Sequence, residues 1–560
     1  MSDSDTVDSA AQLDAALQRF AQRPDVAPAQ AAHLRATLAA DAGLRADYQA
    51  LAASGQVRDF APSPADVILP IGGYERVAGL VIVPAEQLRT VDAAASAALA
   101  GTLRLQQMFA SYAHGHWADA GQREQPVSQD MVDNLQATLN ASPVLEAQLR
   151  QAIAERPPTQ RAPVRAFESL PGTVHAGGTY TPDTGALALP PAALHRPPVA
   201  FQQDAYARTD LTFVMGHELQ HGLNAAGKRV ERARFIEDVA QVARSGGPAY
   251  DYTAPLARYQ QAARSDEAKA QIAGWNATLS ELQQGSPGAN LTEMFDLANR
   301  TENAGTQRIK DFVFKDDGSR QVIPKPGLAF EPDGSLRMTE SNIAAVAQHY
   351  FDKSPEQTRI GHHGDSDYPN YYGADAVTVV IYTHRQLARQ ADGSTPPIQL
   401  DMGRLRLDEV LLERNGLAFP PSHTPLPTGA DTDVRQAYVD IGQTPPVTGH
   451  FDFTRTPEGT PHRHQHRPIS TPEDARPASG VSQYDTLSMQ LDRMLTALET
   501  GDTRSFHQMA DALAQRPAVQ TMQAEAARAI EQQAQATEAQ LQPFHAPPAH
   551  LHSAPVMEMR

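Results

Sequence analysis

Cysteine is missing from this chain of 560 residues. Its absence excludes disulfide bonds, cysteine-ligated zinc and thiol nucleophiles. Positive charge is also scarce, because 47 Lys and Arg residues stand against 65 Asp and Glu residues, which gives a formal net charge of −18. This excess of negative charge argues against nucleic acids and anionic membranes as main partners.

Long apolar runs are lacking as well. No segment approaches the roughly 18 apolar residues of a membrane-spanning helix. Residues 1–8 are polar and acidic, without the basic start and the apolar stretch of a secretory signal. We therefore expect synthesis in the cytoplasm, no membrane span and, for an exported protein, secretion without a classical signal peptide.

What the sequence does contain is an HExxH motif at residues 217–221. His217 and His221 are four residues apart, so on a helix both imidazoles lie on one face and can bind one zinc ion. Glu218 lies beside them and can take a proton from a metal-bound water. The alternative is a buried helix whose histidines are merely hydrogen-bonded. Burying two histidines and a glutamate is costly without a cation, which favours a Zn²⁺ site.

The motif lies within residues 209–227, which predict a single helix. Thr209 or Asp210 can cap its N-terminus, and Gly227 suits the left-handed position that follows the last helical residue. Apolar residues recur between these ends at roughly helical spacing, so one face of the helix is expected to be buried.

A catalytic zinc site needs a third protein ligand, with water in the fourth position. No third histidine follows at the HExxHxxGxxH spacing, so we expect a carboxylate. Glu267 is the favoured candidate, because helix-forming residues surround it and small alanines would let its helix approach the motif closely. Glu293 and Glu302 are the alternatives, and for each of the three a solvated helix charge is the other interpretation.

Hairpins are predicted before and after the motif. Residues 174–190 indicate one with a Thr-Pro-Asp-Thr-Gly turn. It is either a platform that pairs with extended substrate or an ordinary surface hairpin. Asp-Gly pairs at 317–318 and 333–334 predict further hairpins.

A polar loop at residues 361–373 leads into a predicted strand at 377–382. Its His363, Tyr368 and Tyr372 are candidates for the donor that stabilises an oxyanion, with solvent-exposed loop residues as the alternative. A second metal bound by His362, His363 and Asp365 is a further option, and we do not favour it.

The pattern of elements predicts an α+β protein. Residues 1–60 form a helical N-terminal region, and residues 61–455 form a mostly helical catalytic region with a small mixed sheet. Residues 456–480 are a disordered linker rich in proline and histidine. Residues 481–560 form a helical C-terminal region with a flexible tail.

The HELQHG helix, the Gly-Gly-Thr-Tyr hairpin and the later Asp-Glu-Ala helix resemble gluzincin-type zinc metallopeptidases. More narrowly, the segments at 266–276, 368–374 and 405–416 resemble large HExxH effector proteins of the Xanthomonas and Lysobacter lineage. The likeness covers residues 170–420, and 501–514 resembles the helical C-terminal regions of such effectors. The resemblance implies a zincin-like fold and a C-terminal signal for a contact-dependent secretion system.

Two functions from different classes are expected. The first is a zinc-dependent metallohydrolase, a peptidase or amidase, that acts as a secreted bacterial effector toxin on a target-cell protein or on peptidoglycan. His217, His221 and Glu267 would bind Zn²⁺, and a cognate immunity protein or a secretion-system component would be a partner. The alternative is a non-catalytic effector that binds a partner on a zincin scaffold.

Overall fold

The computed structural model of the protein is mostly helical and has small sheets at several places along the chain. It describes residues 3–64, 67, 69–89, 92–119, 121–154, 162–172, 176–197, 205–245, 249–300, 307–361, 363–388, 395–417 and 435–452. The α+β class that the sequence predicts is confirmed at this coarse level.

The helices, in chain order, are α1 (Asp3–Gln22), α2 (Pro28–Ala40), α3 (Ala42–Ala53), α4 (Ala85–Arg89), α5 (Ala93–Ala113), α6 (Gln129–Ala141), α7 (Pro143–Ile153), α8 (Pro191–Leu194), α9 (Ala205–Arg244), α10 (Thr253–Gly285), α11 (Leu291–Arg300), α12 (Glu340–Tyr350), α13 (Pro355–Thr358), α14 (Tyr368–Leu387), α15 (Met402–Leu405) and α16 (Glu409–Arg414), with a 3₁₀ turn at Arg308–Asp311. The strands are β1 (Asp59–Pro62), β2 (Gly73–Glu75), β3 (Leu80–Val83), β4 (His116–Ala118), β5 (Glu124–Pro126), β6 (Ala166–Ser169), β7 (Thr179–Thr181), β8 (Ala186–Leu189), β9 (Val313–Lys315), β10 (Val322–Pro324), β11 (Ile398–Leu400), β12 (Arg435–Asp440) and β13 (Val447–Asp452). Their spatial orders are β1-β3-β2, β4-β5, β6-β8-β7, β9-β10 and β11-β12-β13.

Side-chain caps explain why many helices begin where they do. In each case a short polar side chain accepts a hydrogen bond from the backbone N–H three residues later, which satisfies a donor that the helix leaves unpaired. The capping residues are Asp41, Asp92, Ser128, Ser142, Thr339 and Asp367.

The helix pair α9 and α10 contributes to each of the three larger hydrophobic clusters among the described residues. The first cluster contains side chains of α1–α3 and α5–α7 together with Leu219 of α9. The second surrounds Phe235 of α9 and buried residues of α14. The third surrounds Trp275 of α10. The N-terminal helices therefore share a core with the helix that carries the HExxH motif.

Glycine allows α9 and α10 to cross at close range. A Cβ on Gly216 would lie 2.9 Å from the Cβ of Ala277, and a Cβ on Gly274 would lie 2.8 Å from the carbonyl oxygen of Phe213. Both distances are shorter than ordinary carbon contacts. The close approach predicted from the alanines around Glu267 is present, and these two glycines provide its tightest contacts.

The prediction that Gly227 ends the motif helix is wrong. α9 runs without a break from Ala205 to Arg244, and Gly227 does not have the positive φ of a left-handed cap. The residues that follow it are strong helix formers, and Phe235 and Val239 are buried at helical spacing. Their burial outweighs the cost of about 1 kcal/mol for one glycine inside a helix.

The strand predicted at 377–382 is also wrong, because these residues belong to α14. Asp367 caps this helix, and Ala374, Val377 and Ile381 are buried at helical spacing on one of its faces. Burial of this stripe overrides the preference of a β-branched run for strands.

The hairpins predicted on both sides of the motif helix are confirmed. β7 and β8 pair antiparallel, and β8 is the central strand of its sheet, so β7 provides an edge. β9 and β10 pair around the Asp-Gly turn at 317–318. A bridge between Phe330 and Leu336 closes the turn at 333–334.

By its internal contacts the chain divides into Met1–Arg467 and Pro468–Arg560, and all described residues belong to the first unit. The linker predicted at 456–480 and the helical region predicted at 481–560 lie outside the described residues. Among the described helices, none combines the length and the apolar character that crossing a bilayer requires.

Gly227→Ala is expected to raise the free energy of unfolding by about 1 kcal/mol, because alanine favours a helix interior. A Cβ at this position would meet no atom within 4 Å. Urea denaturation of the purified protein measures the effect. A lower unfolding midpoint would contradict an uninterrupted α9.

Gly274→Ala is expected to lower the free energy of unfolding by about 1–3 kcal/mol, because overpacking forces the two helices apart. The added methyl group would collide with the backbone of Phe213, which cannot rotate away as a side chain can. Gly227→Ala is the matched control for the same chemical change. Stability equal to or above that of the wild type would show that the crossing is looser than described.

Candidate metal centre

Two histidines and a glutamate meet in the interior where α9 faces α10. The Nε2 atoms of His217 and His221 are 3.0 Å apart. The carboxylate of Glu267 places Oε2 3.7 Å from His217 Nε2 and Oε1 3.7 Å from His221 Nε2. His217 is only 4% exposed and Glu267 only 5%. The three residues predicted as metal ligands therefore lie together.

These residues fit a tetrahedral zinc site. Ligand atoms at about 2.0–2.1 Å from Zn²⁺ are about 3.3 Å from one another, and the separations here are 3.0 and 3.7 Å. Oε2 of Glu267 is buried and has no hydrogen-bond partner among the described residues. A carboxylate oxygen in this state is costly unless a cation binds it. The two imidazoles favour zinc over Mg²⁺ or Ca²⁺, which prefer oxygen ligands.

Asp266 orients the second histidine. Its Oδ2 atom lies 2.8 Å from Nδ1 of His221 and 2.7 Å from Nζ of Lys228. Asn224 donates a hydrogen bond of 2.9 Å to its other carboxylate oxygen. A carboxylate behind a ligand histidine fixes the ring and makes its other nitrogen a better donor to a metal. Nδ1 of His217 has no such partner among the described residues.

The surroundings shift the pKa values of the two histidines in opposite directions. Burial lowers the pKa of His217 well below its ordinary value, and the neighbouring His221 lowers it further. Burial also lowers the pKa of His221, but the carboxylates of Glu267 and Asp266 outweigh this effect and raise it to about 9. His221 therefore donates from Nε2 to Nε2 of His217. A metal ion would replace this proton.

Glu218 is buried beside the two histidines. It is 8% exposed, and burial raises the pKa of its carboxyl group although His221 and Arg308 oppose the shift. The hairpin approaches this side chain, because a Cβ on Gly178 would lie 3.2 Å from Cγ of Glu218. Gly178 immediately precedes β7, so this edge strand begins next to Glu218.

Tyr368 and Tyr372 lie on one face of α14 and not in the predicted loop. The hydroxyl of Tyr372 donates a hydrogen bond of 2.5 Å to Oε1 of Glu267. Burial and the charge of Glu267 raise the pKa of Tyr372 well above its ordinary value, so it stays protonated. The hydroxyl of Tyr368 is hydrogen-bonded to Tyr350. Tyr372 thus orients a predicted metal ligand, and Tyr368 contacts another tyrosine.

The third candidate donor, His363, does not belong to the group formed by the two histidines and Glu267. It lies in a tight loop whose ends, Ile360 and Ser366, pair through their backbones. Asp365, considered with it for a second metal, forms an ion pair with Arg414. This pairing leaves the second metal site without support.

The alternative third ligand Glu293 does not belong to the group that His217 and His221 form with a carboxylate. It is exposed, and its carboxylate accepts a hydrogen bond of 2.9 Å from the backbone N–H of Asn290 at the start of α11. Glu302 and His362 lie outside the described residues. Among the described carboxylates, Glu267 is the one grouped with both histidines.

Sequence reasoning missed Asn224, Lys228 and Asp266. The first two follow His221 by three and seven residues, so they lie on the same face of a continuous helix. Ending the predicted helix at Gly227 concealed this relation for Lys228. Asp266 could have been found from its position next to Glu267, because two consecutive acidic residues can both contact the same neighbouring helix.

Comparison with known proteins gives no family for this chain. No protein-family model, curated protein or solved structure matches it. The gluzincin resemblance and the zinc ion therefore stay predictions. Support for a function comes from the geometry of the centre itself.

Asp266→Asn is expected to weaken Zn²⁺ binding by about 10- to 100-fold, as removal of an orienting carboxylate does at other metal sites. The amide loses the charge that holds His221 and Lys228. Competition with a chelator measures the zinc affinity. Glu293→Gln is the matched control, because it neutralises a carboxylate that caps another helix. Unchanged zinc affinity in folded Asp266→Asn protein would rule out the orienting role.

Proposed function

We propose that this protein is a zinc-dependent metallohydrolase that cleaves peptide or amide bonds. One observation carries the proposal: His217, His221 and Glu267 form a buried group, with Glu218 beside it. Two imidazoles and a carboxylate leave a fourth position for water, and a neighbouring glutamate can move its proton. A purely structural cluster would give no reason for burying four such groups together.

The side chains of the centre have separate tasks in this chemistry. When bound, Zn²⁺ supplies a water of lowered pKa and polarises the carbonyl of the substrate. Glu218 would accept the proton of the attacking water and pass it to the nitrogen that leaves when the C–N bond breaks. Asp266 keeps the ring of His221 in place, and Tyr372 keeps Glu267 in place.

The sheet beside α9 offers a place for an extended substrate. β7 is an edge strand, and its first residues follow Gly178, which packs against Glu218. Edge strands can pair with an extended peptide through backbone hydrogen bonds. A peptide bound along β7 would pass next to the proton-transferring carboxylate.

We further propose that the hydrolase is a secreted bacterial effector toxin that acts on peptidoglycan or on a protein of the target cell. This part of the proposal rests only on the resemblance to HExxH effectors that the sequence suggests at residues 266–276, 368–374 and 405–416. Such a toxin would require a secretion-system component and a cognate immunity protein as partners. The alternative is a non-catalytic effector on a zincin scaffold. Such a protein would bind its partner without proton transfer by Glu218.

Glu218→Gln is expected to retain zinc and to lose cleavage activity by about 10²- to 10⁴-fold, because the amide cannot accept a proton. Zinc content is measured by mass spectrometry of the metal. Cleavage is measured on purified peptidoglycan and on a mixed peptide library, and toxicity by expression in the periplasm of a bacterial host.

Glu237→Gln is the matched control, because it makes the same change on α9 at a side chain that is 74% exposed. We expect it to behave as the wild type in every assay. Undiminished toxicity of zinc-loaded Glu218→Gln protein would refute the hydrolase and favour the non-catalytic effector.

A further inference from the structure

Arg308 is a charged residue next to the centre that the proposed chemistry does not use. It begins the 3₁₀ turn Arg308–Asp311, and its guanidinium carbon lies 5.9 Å from the centre of the Tyr350 ring. Its Nη1 atom is buried and has no hydrogen-bond partner among the described residues. A buried polar nitrogen is costly unless a hydrogen-bond acceptor pairs with it. Nη1 of Arg308 can therefore take an anionic partner.

Aromatic contacts connect Arg308 to the metal ligands. The ring of Tyr350 lies 4.9 Å from that of Tyr368, and the two hydroxyls are hydrogen-bonded. The ring of Tyr368 in turn lies 6.3 Å from that of Tyr372, which donates to Glu267. A continuous series of contacts through three tyrosines therefore links Arg308 to Glu267.

Arg308 also interacts electrostatically with the carboxylates of the centre. Burial lowers its pKa, but two tyrosines and the charges of Glu218 and Glu267 outweigh burial, so Arg308 stays positively charged. No hydrogen bond joins it to either carboxylate among the described contacts. The guanidinium is thus near the centre, and its buried donor is available to a ligand.

Among the described residues, no ion pair joins Arg308 to a carboxylate, although burial raises the pKa of Asp311 and the charge of Arg308 lowers it. Glu218 and Glu267 together balance one divalent cation when both histidines are neutral. Asp266 is paired with Lys228. The nearest acid along the chain, Asp311, is paired with Lys353 through a contact of 2.5 Å. A metal-loaded centre therefore has one net positive charge, which favours an anionic group on the substrate.

We propose that Arg308 binds a substrate carboxylate that lies next to the amide bond to be cleaved. The inference rests on the proposed hydrolase and specifies its substrate class: peptides with a free carboxylate, terminal or on an acidic side chain, beside the cleaved bond. A guanidinium matches a carboxylate with two parallel hydrogen bonds.

Paired hydroxamates test this proposal without knowledge of the natural substrate. Each probe has a hydroxamate for the metal at one end and either a carboxylate or a carboxamide at the other. Spacers derived from succinic, glutaric and adipic acid vary the distance between the ends. Calorimetric titration of the zinc-loaded full chain is expected to give about 10- to 100-fold tighter binding of the acid for the spacer that fits.

Arg308→Met is expected to abolish the preference for the acid and to leave the affinity for the carboxamide unchanged. Arg308→Lys keeps the charge without the two-pronged geometry and is expected to retain part of the preference. Arg337→Met is the matched control at a side chain that is 73% exposed. Zinc content and the unfolding midpoint are measured for every variant, and the wild-type comparison decides the matter even if Arg308→Met does not fold.

Each other outcome overturns the proposal in a distinguishable way. Equal affinity of acid and carboxamide for all three spacers would refute a carboxylate site and leave the hydrolase intact. If Arg308→Met lost affinity equally for both probes, Arg308 would contact the hydroxamate at the metal and not the substrate carboxylate. Failure of the wild type to bind zinc would overturn the hydrolase and this inference together.

Discussion

The close crossing of α9 and α10 is the constraint on which the centre depends. Gly216 precedes His217 directly, and Gly274 follows Glu267 by seven residues, which places both on one face of α10. Because neither glycine has a side chain, the helices approach closely enough to bring an imidazole of one next to a carboxylate of the other. The three larger hydrophobic clusters all include residues of this pair, so packing across the first unit holds the two helices at that spacing.

Burial of so many charged groups is possible because most of them compensate one another. Asp266 is surrounded by His221, Asn224 and Lys228, and burial alone would raise its pKa, but His221 and Lys228 lower it. Tyr372 and the proton between the histidines compensate part of the charge of Glu267. The buried atoms without a hydrogen-bond partner among the described residues include one oxygen of Glu267 and one nitrogen of Arg308, which the proposals assign to a metal ion and to a substrate.

Local features of the centre were predictable, and features that depend on the third dimension were not. The spacing of His217 and His221 is a property of any helix, and the sequence around Glu267 indicated a second helix that could approach it. Gly227 was misread because burial of residues far downstream decides whether a helix continues. The run at 377–382 was misread for a related reason, since a β-branched segment becomes helical when one face is buried. The sequence around Arg308 does not mark it as a functional residue, because its proposed role depends on its three-dimensional neighbours.

Both ligand-bearing segments are interior turns of long helices, and this has a kinetic consequence. The metal ligands reside on elements that are ordered before any ion arrives, so binding would require little rearrangement of the backbone. The same packing leaves their side chains only 5–11% exposed. Ligands that move little and meet little solvent favour slow exchange of a bound ion, so an ion acquired during folding would stay with the protein on dilution.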